Sequence, residues 1–400
     1  MRISTAQIHQ LAVQAMLDQQ AQLSKTQSQV ASGKRVQTPS DDPVAAVQIN
    51  NLSQAQSQNG QYTKNSGIAT TRLQLEEQSL NDATTVLQRV SELAVQANTA
   101  TLNNSDRQSI ATELKSRQDE LLAIANRKDS NGEYLFAGLS GGTQPFVRSN
   151  GGSVQYQGDS GARQIQVDAS LSVQDSDPGN RLFMNIPAGN GTFTTAAPAT
   201  NTGSGVLDAG TVVNKAQWTP DTYTITFGAG GAWTVSGAAS GPAGSGTYTG
   251  APGSVVSFNG VQVGLTGTPA PGDTFTVSQA GSQDIFSTLD GMISSLQSGV
   301  GNDAQRAQFN TQMNASMQQV DQAAAQLSTV HSQLGARLSM LGDADTARAN
   351  ALTDLQSEST QLSDLDYASA VSKMSQQMLG LQAAQQAFAS TSKLSLFNYL

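Results

Sequence analysis

Cysteine is absent from this sequence, and histidine occurs only twice, as His9 and His331. The first absence excludes a disulfide scaffold and any cysteine metal site. The second excludes a histidine-rich metal centre. Charge is also scarce: 13% of the residues are charged, about half the ~25% of an average soluble protein. No long apolar run replaces the missing charge. None approaches the ~20 residues needed to span a bilayer, so a transmembrane protein is excluded, and no membrane partner is expected. The formal net charge of -9 argues against nucleic acid, because binding phosphate requires a basic surface. The first residues, MRISTAQIHQLAVQ, reach polar Gln7, His9 and Gln10 before any apolar stretch forms, so no cleaved secretion signal is expected.

Glycine and proline are abundant in one place and rare elsewhere. Of 37 glycines, four lie in residues 1–135 and six in 284–400, which leaves 27 for the segment between. Nine of the 11 prolines and 12 of the 20 aromatics fall in that same middle segment. The flanks, rich in Gln, Ala, Ser and Leu, read as helix, and the middle, rich in Gly, Thr and Val, reads as short strands and turns.

Periodicity supports the division. Leu73, Leu80, Leu87 and Ala94 recur every seven residues, with Ala69, Ala83, Val90 and Ala97 between them. Leu327, Leu334, Leu341, Leu355 and Leu362 share one heptad position, with Arg348 where a sixth leucine would fall. Narrow seams of this kind suit helix against helix. Gly33 before Lys34 and Arg35 suits a helix C-terminus, and Asp42 before Pro43 suits the next N-cap and first turn. Ser105 with Gln108 has capping-box spacing and predicts a helix carrying Ile110, Leu114, Leu121 and Ile124 on one face. In the middle, Tyr223, Ile225 and Phe227 alternate with Thr222, Thr224 and Thr226, which predicts a strand with one apolar face. Phe275 and Val277 continue this pattern, and Asn259-Gly260 supplies the positive-φ pair of a two-residue hairpin turn.

The expected fold is therefore α+β: an elongated antiparallel helical, coiled-coil rod built from the N- and C-terminal segments, with an inserted β-rich domain. Residues 1–60 with 361–400 form terminal coiled-coil assembly helices, 61–140 with 284–360 a helical rod domain, and 141–283 an outward-facing β domain.

The residues offer little for catalysis. Gly158-Asp159-Ser160-Gly161 looks like a serine-protease nucleophile segment, but acylation needs a histidine base, and both histidines lie on the helical flanks. A turn is the expected use of these residues. Gly228, Gly230 and Gly231 lack the spacing of a phosphate loop, and Gly33-Lys34 lacks its upstream glycine. Asp175, Asp177 and Asn180 suggest calcium, but Pro178 and the missing distal glutamate break the EF-hand pattern, and a loop is expected there. No catalytic, cofactor or metal site is expected.

The C-terminal tail is more informative. From Gln361 to Leu400 only Asp364, Asp366, Lys373 and Lys393 carry formal side-chain charge. Leu365, Val371, Met374, Met378, Leu381 and Phe388 recur at helical spacing, and the chain ends in apolar Leu394, Leu396, Phe397, Tyr399 and Leu400. Six such side chains represent on the order of 10 kcal/mol of burial before ordering costs. A docked core helix is one use for this surface. The other is an assembly interface completed by another subunit, to which Ile3, Ile8, Leu11, Leu23 and Leu362 are also assigned.

Several segments carry a resemblance. MRISTAQI, ASGKRVQTPSDDPVAA, QYTKN, SELAVQANTATLNNSDRQSIATEL, LLAIANRKDSNGEYLFAG and TQPF are similar to the hook-filament junction proteins, the third type of hook-associated protein in the flagellin-related family. The ending LSDLDYASAVSKMSQQMLGLQAAQQAFASTSKLSLFNYL agrees, as does GVQVGLTGTPAPGDTFTV late in the insert. The resemblance covers residues 1–148 and 284–400. Flagellin shares the terminal architecture, but the MRIST start, PSDDPVAA, NGEYLFAG and the LFNYL end favour the junction type. A filament subunit or a secreted adhesin stand as alternatives. The resemblance implies export by the flagellar type III apparatus, a location outside the cell between hook and filament, and helical self-assembly. It also implies three other partners: the first hook-associated protein on the hook side, flagellin on the filament side, and an export chaperone. Low-charge amphipathic ends that order on binding fit that expectation, as do heterologous contacts that do not close into a small oligomer.

Overall fold

The computed structural model describes residues 5–99, 102–149, 151–251 and 253–397. Both flanks are helical, and a central antiparallel β-rich segment lies between them. The N-terminal flank forms α1 (Thr5–Ser32), α2 (Pro43–Ala97) and α3 (Asn104–Ala125). The C-terminal flank forms α4 (Ile285–Gln297), α5 (Asp303–Ser363) and α6 (Tyr367–Phe397). The chain folds as two compact units, one from residues 1–64 and 343–400 and the other from 65–342. No helix among the described residues is long and apolar enough to cross a membrane.

Helix ends follow local chemistry. α1 stops where Gly33 adopts φ +72°, a left-handed conformation that glycine enters without steric cost. α2 starts at Pro43, with Asp42 Oδ1 accepting the Ala45 amide at 3.0 Å. At α3 the capping box lies two residues before the expected one. Asn103 Oδ1 accepts the Asp106 amide at 2.9 Å, and Asp106 Oδ2 accepts the Asn103 amide at 3.4 Å. Asn-x-x-Asp satisfies the same two donors as Ser-x-x-Gln, and it leaves Ser105 already inside the first turn.

The 65–342 unit has two apolar cores. In the first, Leu73, Leu80, Leu87 and Ala94 of α2 are fully buried with Leu114 and Leu121 of α3, Leu289 and Met292 of α4, and Leu327, Leu334 and Leu341 of α5. The seven-residue leucine pattern thus marks this core. Beyond it, in the other unit, Leu355 and Leu362 are half-buried, and Arg348 is buried beside Asp345 at 2.6 Å.

Short strand pairs also join the helical core. β1 (Phe146–Arg148) pairs with β2 (Val154–Tyr156), β3 (Gln164–Gln166) with β4 (Ser172–Gln174), and β5 (Ile186–Pro187) with β15 (Ser282–Gln283). They bring Phe146, Val173 and Ile186 inward. Phe146 and Phe183 meet edge to face at 5.6 Å, and Phe286 of α4 lies 5.6 Å from Phe146.

The second core fills a space between two sheets. β6 (Phe193–Ala196), β9 (Thr222–Phe227), β10 (Ala232–Gly237), β11 (Gly241–Thr247) and β14 (Thr274–Gln279) form one antiparallel sheet in the order β11-β10-β9-β14-β6. β13 (Val261–Thr266) carries β12 (Val255–Phe258), β7 (Val206–Leu207) and β8 (Thr211–Val212) in the other. Tyr223, Ile225, Phe227, Phe275 and Val277 face inward as the alternation predicts, against Val256, Phe258, Val261 and Val263. The β12–β13 turn holds Asn259 at φ +41° and Gly260 at φ +73°, the positive pair expected of a two-residue hairpin.

Candidate assembly interface

The interface candidates lie on the terminal helices, and a polar joint holds those helices in place. The joint begins where α1 gives way to residues 33–42 and α5 gives way to α6. The Arg35 amide donates to Ser363 O at 2.7 Å, and the Leu365 amide donates to Gly33 O at 3.0 Å. Arg35 Nη2 donates to Leu362 O at 2.8 Å, covering a carbonyl at the α5 C-terminus, while Nη1 reaches Asp42 at 3.0 Å. Two chain crossings are thereby stitched together at one level.

Carboxylates fix the same joint. Asp41 Oδ1 lies 2.6 Å from Lys25 Nζ, and its Oδ2 accepts the Thr38 and Gln37 amides at 2.8 and 3.0 Å. The Lys25 bond first, then those amides, hold the Asp41 carboxyl well below the ordinary range. The Ala45 amide, and then Arg35, lower that of Asp42. Asp366 opens α6: its Oδ2 accepts the Ser369 hydroxyl at 2.6 Å, and its Oδ1 accepts the Ala368 and Ser369 amides. These bonds, the Ser369 hydroxyl foremost, lower its pKa. Charged forms held by several donors resist protonation.

From the joint, α1 and α6 run antiparallel. Gly33 meets Leu365, Gln19 Nε2 donates to Gln377 O at 3.4 Å, and the His9 ring meets Phe388 edge-on at 5.5 Å, so rising numbers on α1 face falling numbers on α6. Close approach is possible at Gly380, where a Cβ would stand 2.9 Å from Gln19 Nε2. The pair has an inner side and an outer side. Leu23, Thr26, Ala370 and Gln377 are buried, and Leu362, Leu365, Met374, Leu381 and Phe388 are half-buried. Leu11, Val371 and Met378 remain exposed, with Leu11 at 62%. Ile8, Leu394, Leu396 and Phe397 are placed on these helices by their backbone. Ile3 and Leu400 lie outside the described residues.

The pattern reading missed further exposed apolar side chains in the same unit: Val13 and Leu17 on α1, Val44 and Val47 at the start of α2, and Leu379 on α6. Val13 and Leu17 stand four apart and so share a helix face, a signal present in the sequence. Each large apolar side chain left in water forgoes about 1.5–3 kcal/mol that full burial would supply.

The remaining motifs serve the fold. Ser160 Oγ accepts from Asn180 Nδ2 at 2.6 Å, and Asp159 collects the Leu139 and Gly161 amides with the Ser140 hydroxyl, so Gly158-Asp159-Ser160-Gly161 is a hydrogen-bonded loop. Asp175 and Asp177 are fully buried in an ionic cluster. Asp175 takes Arg163 at 2.6 Å; Asp177 takes Arg337 at 2.6 Å and Arg181 at 3.2 Å. Arg72 pairs with Asp129 in the same region. Glu76 is buried beside them, its Oε1 accepting the Asp177 amide at 3.1 Å. Burial, and then the charge of Asp177, push its pKa up.

Comparison with known proteins follows the same division of the chain. The family model for the bacterial flagellin N-terminal helical region matches residues 3–140, and that for the C-terminal helical region matches 317–400. The flagellar hook-associated protein 3 of Escherichia coli K12 is 41% identical over 186 residues, 46% of this chain and 58% of the relative; that of Salmonella typhimurium LT2 is 39% identical over the same shares. The chain therefore spans less than two thirds of the length of these curated relatives. Solved structures match over more of their length. The hook-associated protein 3 of Legionella pneumophila is 34% identical with a TM-score of 0.76, covering 78% of this chain and 98% of the relative. The Xanthomonas campestris FlgL structure is 33% identical with a TM-score of 0.72, covering 76% and 98%.

Proposed function

We propose, for this chain, which belongs to the flagellar hook-associated protein 3 family, a structural role as the adaptor that joins the hook of the bacterial flagellum to its filament. In this reading the chain is exported by the flagellar type III apparatus and assembles outside the cell. It meets copies of itself, the first hook-associated protein on the hook side and flagellin on the filament side, and an export chaperone shields the C-terminal helix beforehand. The role is mechanical and non-enzymatic.

The observation that carries the proposal is the two-sided α1–α6 pair. One side is consumed by packing within the chain, while Leu11, Val13, Leu17, Val371, Met378 and Leu379 are left exposed on the other residues of the same helices. Apolar surface on long terminal helices is what a neighbouring subunit would cover. A helical tube needs contacts of this heterologous kind, which propagate and do not close on themselves.

The test is electron microscopy of flagella from a deletion strain, where hooks without filaments and flagellin shed to the medium are expected. Normal filaments in that strain would overturn the role. Removing Leu394–Leu400 should leave the β sandwich folded yet abolish incorporation, and truncated protein that still supports filaments would overturn the part given to the tail. The matches to both flagellin terminal regions favour a second reading, a filament subunit, which growth of long filaments from seeds by the purified protein would support.

A further inference from the structure

Away from the terminal helices, the 65–342 unit contains a cavity of about 240 Å³ where α5 faces β6 and the start of α4. Among the described residues its lining has no ionisable side chain: Thr194, Thr195, Gln283, Thr288, Gln312, Ser316 and Gln319 supply hydroxyls and carboxamides, and Gly189, Ala196, Ala209 and Ala315 complete it. Four of the polar side chains, Thr195, Thr288, Ser316 and Gln319, are more than nine-tenths buried. Buried polar groups are normally paired, and each exception calls for a reason.

Gln319 is such an exception. Its Oε1 accepts the Gly189 amide at 3.1 Å, which fixes the orientation of the carboxamide, while its Nε2 is buried without a partner among the described residues. Nearby groups have capacity to spare. Thr288 Oγ1 donates to Asp284 O at 3.1 Å and accepts from Gln283 Nε2 at 3.1 Å, so among the described residues one of its lone pairs and the Gln283 carbonyl oxygen stay open. Gln312 is exposed at the mouth and also lines an adjoining groove with Ser295, Ser298, Gln305 and Gln308. Unused donors and acceptors thus stand around one space in mixed order.

We propose that this cavity is a binding site for a neutral polyhydroxylated molecule, a single sugar residue, with the Gln319 amide as its buried donor and Thr288, Ser316 and Gln312 as its other polar contacts. An ion is disfavoured because no charged side chain faces the space, and burying an unpaired charge is costly. An apolar ligand would leave the Gln319 amide unpaired. A hydroxyl both donates and accepts, so a ring bearing several of them satisfies the mixed inventory without a specific register. The cavity is small, and among the described residues no aromatic side chain lines it for stacking.

Saturation-transfer NMR on the full chain with glucose, galactose, mannose and N-acetylglucosamine, each as the free monosaccharide, tests the site. At least one should receive saturation. Gln319→Met, similar in shape but unable to donate, should weaken that sugar about tenfold, the consequence of losing one hydrogen bond from a buried donor, with an unchanged circular dichroism spectrum. Should that variant not fold, Gln312→Leu at the exposed mouth gives the same reading. The proposal is overturned if none of the four sugars binds and a high-resolution crystal structure shows waters only in the cavity, or if binding survives both substitutions unchanged.

Discussion

Replacing Arg337 by methionine is the sharpest test of how the 65–342 unit is held together. Arg337 is an α5 residue with a side chain 14% exposed, and its Nη2 lies 2.6 Å from the Oδ2 of fully buried Asp177. Asp177 also pairs with Arg181, which is 42% exposed at 3.2 Å, so solvent screens that pair and it replaces little of what is lost; the neutral Gln174 Nε2, donating to Oδ1 at 2.9 Å, carries no compensating charge. Glu76, buried alongside, is kept above its ordinary pKa by burial and by the charge of Asp177, and Arg337 is one of the groups opposing that rise. Removing one partner of a buried ion pair leaves an uncompensated charge, which costs about 3–5 kcal/mol. Guanidinium unfolding followed by far-UV circular dichroism should show that loss for Arg337→Met. Combining it with Asp177→Asn should recover much of it, because the orphaned charge is then gone. The pH dependence carries its own sign. The folded chain binds the Glu76 proton more tightly than the unfolded chain, so stability falls as pH rises from the unfolded glutamate value through the raised folded one. Glu76→Gln should remove that decline. A loss below about 1 kcal/mol for Arg337→Met, or a double variant no better than the sum of the singles, would refute the reasoning, since it would place the cluster among exposed pairs of little energetic weight.

Three further perturbations address other levels of the fold. Gly33→Ala places a Cβ 2.8 Å from Tyr367 Oη at φ +72°; about 1–2 kcal/mol of left-handed strain should lower thermal stability, and Tyr367→Phe should relieve the contact without relieving the strain. Asn103→Ala removes the α3 cap and should cost about 1 kcal/mol in denaturant unfolding, with Asn103→Ser retaining most of it. At Gly246 a Cβ would stand 2.5 Å from the Trp233 ring, so Gly246→Ala should displace the indole and shift tryptophan emission to the red, and an unchanged spectrum would contradict the observed packing.

What could be read in the sequence depended on how far apart the interacting residues are. The seams through Leu73–Ala94 and Leu327–Leu341 repeat within a single helix, so their periodicity announces them. The alternation at 222–227 does the same for a strand, and Asn259-Gly260 contains its whole turn in two residues. The short pairs between 146 and 187 carry no such pattern. β5 meets a strand almost a hundred residues away, and three residues are too few for alternation to show. Asp175 and Asp177 were legible as acidic residues in an irregular segment, but their partners come from positions 72, 163, 181 and 337, and nothing local distinguishes a buried carboxylate from a solvated one. The cavity by Gln319 was hidden for the same reason: a glutamine in a Gln-rich helix gains meaning only when Gly189 fixes one end of its amide.

The two units therefore use polarity differently, and the difference bears on assembly. In the 65–342 unit, one set of charges is buried and paired, around Asp175 and Asp177, tying the irregular segment to α2 and α5. Buried pairs of this kind contribute little net stability but are costly to break, so they specify one arrangement. In the terminal unit, charge gathers at the joint instead, on Lys25, Arg35, Asp41, Asp42 and Asp366, and almost none follows along α6. Exposed charges would repel or require desolvation when another helix docks. α6 carries only Lys373 and Lys393, so little charge stands beside its exposed Val371, Met378 and Leu379, the surface that the proposed role gives to a neighbour. A lysine or glutamate placed at Met378 should then block incorporation while leaving the joint and the sandwich intact, whereas leucine there should not, and co-sedimentation of each variant with assembled flagella would separate the two outcomes.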